Sequence, residues 1–87
     1  MDENKCDVGA VPLNRGGIGW ALEVMRMGYK VRRSGWNGKG MWLALQLPDD
    51  KSKMTAPYVY MSTADGKLVP WLCSQTDLLA RDWEITD

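Results

Sequence analysis

Ile18-Gly19-Trp20-Ala21-Leu22-Glu23-Val24-Met25-Arg26-Met27-Gly28 reads as the principal helix of the chain. Ile18, Ala21, Leu22 and Met25 recur at helical spacing and form one apolar stripe, while Gly19, Glu23 and Arg26 form a polar one. Gly28 supplies the C-terminal stop, since glycine accepts the left-handed backbone that ends many helices. Trp20, Val24 and Met27 make a further stripe at i, i+4 and i+7. A single helix in a small domain seldom buries two faces internally. This second face therefore meets another subunit, lines a ligand pocket or lies under the N-terminal arm. A subunit contact is the expectation, with Trp20 also within reach of ligand.

Downstream of the helix the period changes from 3.6 to 2. Tyr29 to Arg33 alternates apolar and basic residues as a half-exposed strand does. Ser34-Gly35-Trp36-Asn37-Gly38-Lys39-Gly40 is turn-rich, and Asn37-Gly38 is a hairpin signal. Met41 to Leu47 sends Met41, Leu43, Leu45 and Leu47 to one face and Trp42, Ala44 and Gln46 to the other, the aliphatic face being core. Pro48 to Ala56 is a polar loop. Tyr58 to Ser62 and Lys67 to Val69 form a second hairpin around Ala64-Asp65-Gly66. Pro70 cannot donate to a ladder, so it marks a strand end or a sheet edge. Ser74-Gln75-Thr76-Asp77 resembles a capping box opening a short helix through Leu79, and Asp82 to Thr86 closes the sheet as a last strand. The expected class is α+β: a small antiparallel sheet packed with one main N-terminal helix and a short C-terminal helix.

Upstream, residues 1–16 mix charges with Gly9, Pro12 and Gly16 without periodicity and read as a flexible arm; the domain is expected to span 17–87. With 87 residues in all, a lone monomer buries a limited share of its surface, which favours a homo-oligomer. Eleven basic and eleven acidic side chains balance to zero net charge, which argues against a DNA or RNA duplex or an anionic membrane as partner. Any anion site must be local. No apolar run reaches membrane-spanning length, and Met1 to Lys5 lack the regions of a signal peptide. The expected location is intracellular, with both thiols reduced. Cys6 and Cys73 match no metal or redox spacing and there is no His, so neither a metal nor a cofactor is expected.

Two segments carry more committed residues than turns need. Trp36-Asn37-Gly38-Lys39-Gly40-Met41 places an aromatic plane, an amide, an ammonium and two glycine backbones within six positions. Glycine lets backbone N–H groups approach a phosphate, Lys39 offsets its charge, Asn37 reads a base edge or ribose, and Trp36 stacks. Alone, the segment is better explained by a hairpin turn, with Trp36 packed on the helix and Lys39 solvated. In Pro70-Trp71-Leu72-Cys73-Ser74-Gln75-Thr76-Asp77 a Trp precedes a polar quartet at a helix start, where unpaired N–H groups and side-chain donors and acceptors can meet an anion or a hydroxyl. A plain N-cap accounts for Ser74 and Asp77 but not for Gln75 or Thr76. Arg32 and Arg33, with Lys30, form the one basic run; alternation aims Lys30 and Arg32 to one side and Arg33 to the other. Catalysis has little to build on: there is no His, no nucleophile elbow and no paired Cys, and of the acidic candidates Asp65, Asp77 and Asp82 the first two are accounted for by turn and cap.

Four ordered blocks, Gly19-Trp20-Ala21-Leu22, Val31 through Met41, Ala64 through Trp71 and Ser74 through Glu84, together resemble the second type of Thoeris anti-defence protein, encoded by phages. The resemblance runs from about Gly17 to Ile85. It implies a homotetrameric sponge in the cytoplasm of the infected bacterial host. Such a sponge holds the signalling nucleotide glyco-cyclic ADP-ribose without degrading it, and so blocks effector activation. For some members it also implies cyclic di- or trinucleotides held at separate sites between subunits. By block, it assigns ligand contacts to Trp20, to Trp36, Asn37, Gly38 and Met41, and to Trp71, Ser74, Gln75, Thr76 and Asp77. The loop Pro48 to Ala56 departs from the family pattern by being shorter than the insertion many members carry there. The residues themselves leave two alternatives: a virion-associated or other interaction module with no small ligand, and an enzyme that degrades the signal.

Overall fold

A computed structural model describes residues 15–37 and 39–86. In chain order these form β1 (Arg15–Gly16), α1 (Ile18–Arg26), β2 (Lys30–Arg33), β3 (Trp42–Gln46), β4 (Tyr58–Ser62), β5 (Leu68–Pro70), α2 (Gln75–Leu79) and β6 (Trp83–Thr86). The class is α+β, as the periodicities indicate. All strand pairs are antiparallel, in one six-stranded sheet of order β1-β6-β2-β3-β4-β5.

Register sets the two faces. Val31 lies opposite both Leu43 and Ile85, and Leu43 opposite Met61, so these four share one face. α1 lies on that face and contributes Ala21, Val24 and Met25, which join Val31, Leu43 and Trp83 as the fully buried core. Burying each large apolar side chain of this set contributes about 1.5–3 kcal/mol. On the other face Trp42 meets Tyr60 edge-on at 5.9 Å, and the Lys30 ammonium sits 4.3 Å from the Trp42 ring centre. The alternation of the basic run holds: Arg32 pairs with Glu84 on this open face, while Arg33 points to the helix-covered one.

Several expectations change. Val24, expected on a second helix face, is only 3% exposed within the single chain and belongs to the core. The further stripe is therefore not one surface: Trp20 lies against Gly16, and Met27 is exposed at the helix end. A Cβ at Gly16 would stand 2.9 Å from Trp20 Cβ; without a side chain, β1 can pass directly over the indole. Arg15 and Gly16, assigned by sequence to the arm, pair with Glu84 and Trp83 of β6. Residues 1–14, the rest of that arm, lie outside the described residues, as do Gly38 and Asp87. β6 does not cap an edge of the sheet but is inserted between β1 and β2. Leu47 is 63% exposed, because β3 ends at Gln46 before Pro48. Pro70 closes β5 on the sheet edge, where its missing donor costs no ladder bond.

Candidate functional site

The described residues of the connection between β2 and β3, 34–37 and 39–41, contribute one wall of a concave cradle of about 370 Å³. Ser34, Trp36, Lys39, Gly40 and Met41 come from the connection itself, Arg32 and Arg33 from the end of β2, and Glu84 from the adjoining β6. The volume falls in the range of small-molecule sites. Gly40 has φ +78°, a conformation that side chains rarely adopt, and it turns the chain back into β3.

The wall is tied from behind. Ser34 N–H donates to the Asp82 carbonyl at 3.1 Å, and Gly35 N–H donates to the Asp82 carboxylate at 2.8 Å. Arg33 is held by two carboxylates, its Nε on Asp82 and its Nη1 on Asp77, each at 2.8 Å. The Trp36 indole Nε1 donates to the same Asp77 oxygen at 3.1 Å. Burial pushes the Asp77 carboxyl up, but the bonds from Arg33, Trp36 and Ser74 together outweigh it and hold it below the usual carboxylate range. At Asp82 the Arg33 bond dominates and again lowers the pKa. Both carboxylates in turn raise the guanidinium pKa of Arg33.

An aromatic cluster backs this network. Trp83, fully buried, meets Trp36 edge-on at 5.4 Å and Trp71 edge-on at 5.8 Å. Its indole Nε1 donates to the Asp77 carbonyl at 3.1 Å. Ser74 is the N-cap of α2, its hydroxyl accepting from Asp77 N–H. Only half of a capping box forms, since the Asp77 carboxylate reaches across to Arg33 and Trp36 instead of to the Ser74 backbone N–H.

The expected ligand residues are thus distributed unevenly. Trp36 and Met41 line the cradle; Asn37 is exposed on the same connection but not part of the lining, and Gly38 lies outside the described residues. Asp77 stands behind Trp36, and Trp71 shares Trp83 with it. Ser74, Gln75 and Thr76 are exposed at the start of α2. Trp20 is half-buried near β1, its indole nitrogen without an acceptor among the described residues. Of the other lining residues, Lys39 and Gly40 belong to the segment read as suited to a phosphate and Arg32 and Arg33 to the basic run, whereas Ser34 and Glu84 were not expected. Among the described residues Lys39 enters no ion pair, whereas Arg32 and Arg33 are both matched by carboxylates.

A second, smaller concavity of about 160 Å³ lies on the open sheet face between Gln46, Tyr58, Tyr60 and the edge strand β5. The loop after β3 is closed by Asp49, whose carboxylate accepts from Lys51 N–H at 2.9 Å. Among the described residues no group of three or more His, Cys, Asp or Glu side chains is placed to hold a metal. No described helix is long and apolar enough to cross a membrane.

Residues 16–86 match the model of the Thoeris anti-defense 2-like domain. The chain is also 40% identical over 81 residues to Thoeris anti-defense 2 of Bacillus phage SP01, covering 78% of this chain and 91% of that protein. The matched span starts within β1 and ends with β6, taking in both helices and every strand. On sequence and on extent of match, the chain belongs to the Thoeris anti-defense 2-like family.

Proposed function

We propose that this protein is a homotetrameric sponge that captures glyco-cyclic ADP-ribose in the cytoplasm of the infected host and withholds it, undegraded, from the Thoeris effector. The observation that carries this reading is the cradle, where one aromatic ring, Trp36, stands beside the cations Arg32, Arg33 and Lys39. A cyclic ADP-ribose isomer presents a purine and a pyrophosphate, and those are the two chemistries that a ring and a cation recognise. Lys39 supplies charge that no described carboxylate offsets. Gly40 leaves the backbone beside it open to a phosphate.

Ser74, Gln75 and Thr76 supply hydroxyl and amide groups to a ligand held between subunits, with Trp71 behind them. The exposed face of Trp20's end of α1 belongs to the same assembly. Cyclic di- or trinucleotides are the ligands for separate sites. Withholding rather than cleavage fits a chain without His, the commonest general base.

A thermal-shift titration with glyco-cyclic ADP-ribose tests the reading. At free ligand 100 times the dissociation constant, binding adds about 2.7 kcal/mol of apparent stability. A midpoint that rises with ligand supports capture, and one that stays fixed at millimolar ligand removes it.

A further inference from the structure

The proposed function gives Trp36 to the ligand, yet the atoms that orient this ring lie outside the cradle. Trp83 meets the indole edge-on, a contact that fixes distance and leaves the ring free to turn about it. Rotation is fixed by the bond from Trp36 Nε1 to Asp77 Oδ1 at 3.1 Å. That oxygen also receives Arg33 Nη1 at 2.8 Å, so one carboxylate atom holds two residues of the cradle. Asp77 itself is not part of the lining.

Asp77 is well placed to be a fixed point. Its N–H is bound by the Ser74 cap and its carbonyl by Trp83 Nε1. α2 buries none of its side chains fully, so the tether of this helix to the body runs in large part through Asp77. A five-residue helix without a buried face has little stability of its own.

We infer that Asp77 is a positioning residue for ligand capture: it acts from behind the ring, locking the plane of Trp36 and anchoring Arg33 at the cradle wall, and does not touch the ligand. The inference rests on Trp36 being a ligand contact, and its test separates the two claims.

The test is a double-mutant cycle read by calorimetric titration with glyco-cyclic ADP-ribose, using Trp36→Ala, Asp77→Ala and the pair. Residues acting through one another lose additivity, while independent contacts add. Asp77→Ala is expected to weaken binding about tenfold in the wild-type background and by less than about twofold once Trp36 is gone. An equal loss in both backgrounds overturns the inference, because Asp77 then meets the ligand itself, and so does no loss in either. If Asp77→Ala does not fold, Asp77→Leu keeps the bulk and the backbone N–H that the Ser74 cap binds while removing the acceptor of Trp36 Nε1, and the same cycle is read with it. A ligand-free ¹H–¹⁵N spectrum resolves the five indole N–H groups, Trp36 being the signal absent from Trp36→Ala. Its shift and exchange protection must change in the Asp77 variant; an unmoved signal overturns the inference. If wild-type protein binds no ligand, the proposed function fails, and this spectrum alone decides the role of Asp77.

Discussion

Trp36 Nε1 and Asp77 Oδ1 lie 3.1 Å apart although 41 residues separate them in sequence. The bond joins the β2–β3 connection to α2, and the Arg33 ion pair to the same oxygen doubles it. The cradle wall is therefore built by tertiary contacts, with local turn propensity in a supporting part.

Replacing Trp36 by Ala removes the ring that the proposed function gives to the ligand. A stacked base contributes about 1–3 kcal/mol, so affinity for glyco-cyclic ADP-ribose should fall by roughly 5- to 150-fold. Calorimetric titration measures this, and an unchanged dissociation constant in a folded variant rules out stacking on Trp36.

Acid should loosen the network before it reaches the core. Asp77 and Asp82 both have folded pKa values below the ordinary carboxylate range. Their contribution to stability is complete above the unfolded value, about 4, and is lost as pH falls through the lower folded values. Urea midpoints should hold from neutral pH down to about 5 and drop below about 4. In Asp82→Asn that drop should shrink, because a group that no longer titrates cannot supply it.

Gly35 leaves no room for a side chain. A Cβ there would stand 2.8 Å from the Asp82 carboxylate, which Arg33 already pins at 2.8 Å. Relief would break the Gly35 N–H bond or displace Asp82 from Arg33. Gly35→Ala should cost about 1–3 kcal/mol, the usual penalty for overpacking. Chemical denaturation measures it, and a loss below about 0.5 kcal/mol would show that the turn moves freely.

Much of the fold was legible in the sequence, because helix and strand periods are local. The stripe Ala21, Leu22 and Met25 and the alternation through Leu43 and Leu45 follow from side-chain direction alone. The same reasoning overran at Leu47, where alternation continued past the last ladder bond, and at Val24, which a broader apolar face draws into the core. β1 was not legible, since two residues carry no period. In the cradle, Trp36, Met41, Lys39 and Gly40 stood out as one segment. The joining of Arg33 to Asp77 and Asp82 did not, because it spans 44 and 49 residues and Asp77 already had a local explanation in its cap. Trp83 was visible only as one position of a strand, and its place between Trp36 and Trp71 follows from the insertion of β6 inside the sheet.

Assembly is a separate prediction. Light scattering on the eluting peak should give about four times the chain mass of 9.8 kDa. A monomer's mass at micromolar concentration, with capture intact, would confine the binding site to one chain and exclude the shared-site part of the proposal.

The central claim is capture without cleavage, and one measurement reaches it directly. Purified protein is mixed with glyco-cyclic ADP-ribose and retained on a small-cutoff filter, the free ligand is quantified, and the retained protein is then heat-denatured and its released material analysed. Depletion followed by return of the intact molecule is the predicted result; depletion with new products, or no depletion at all, would contradict it.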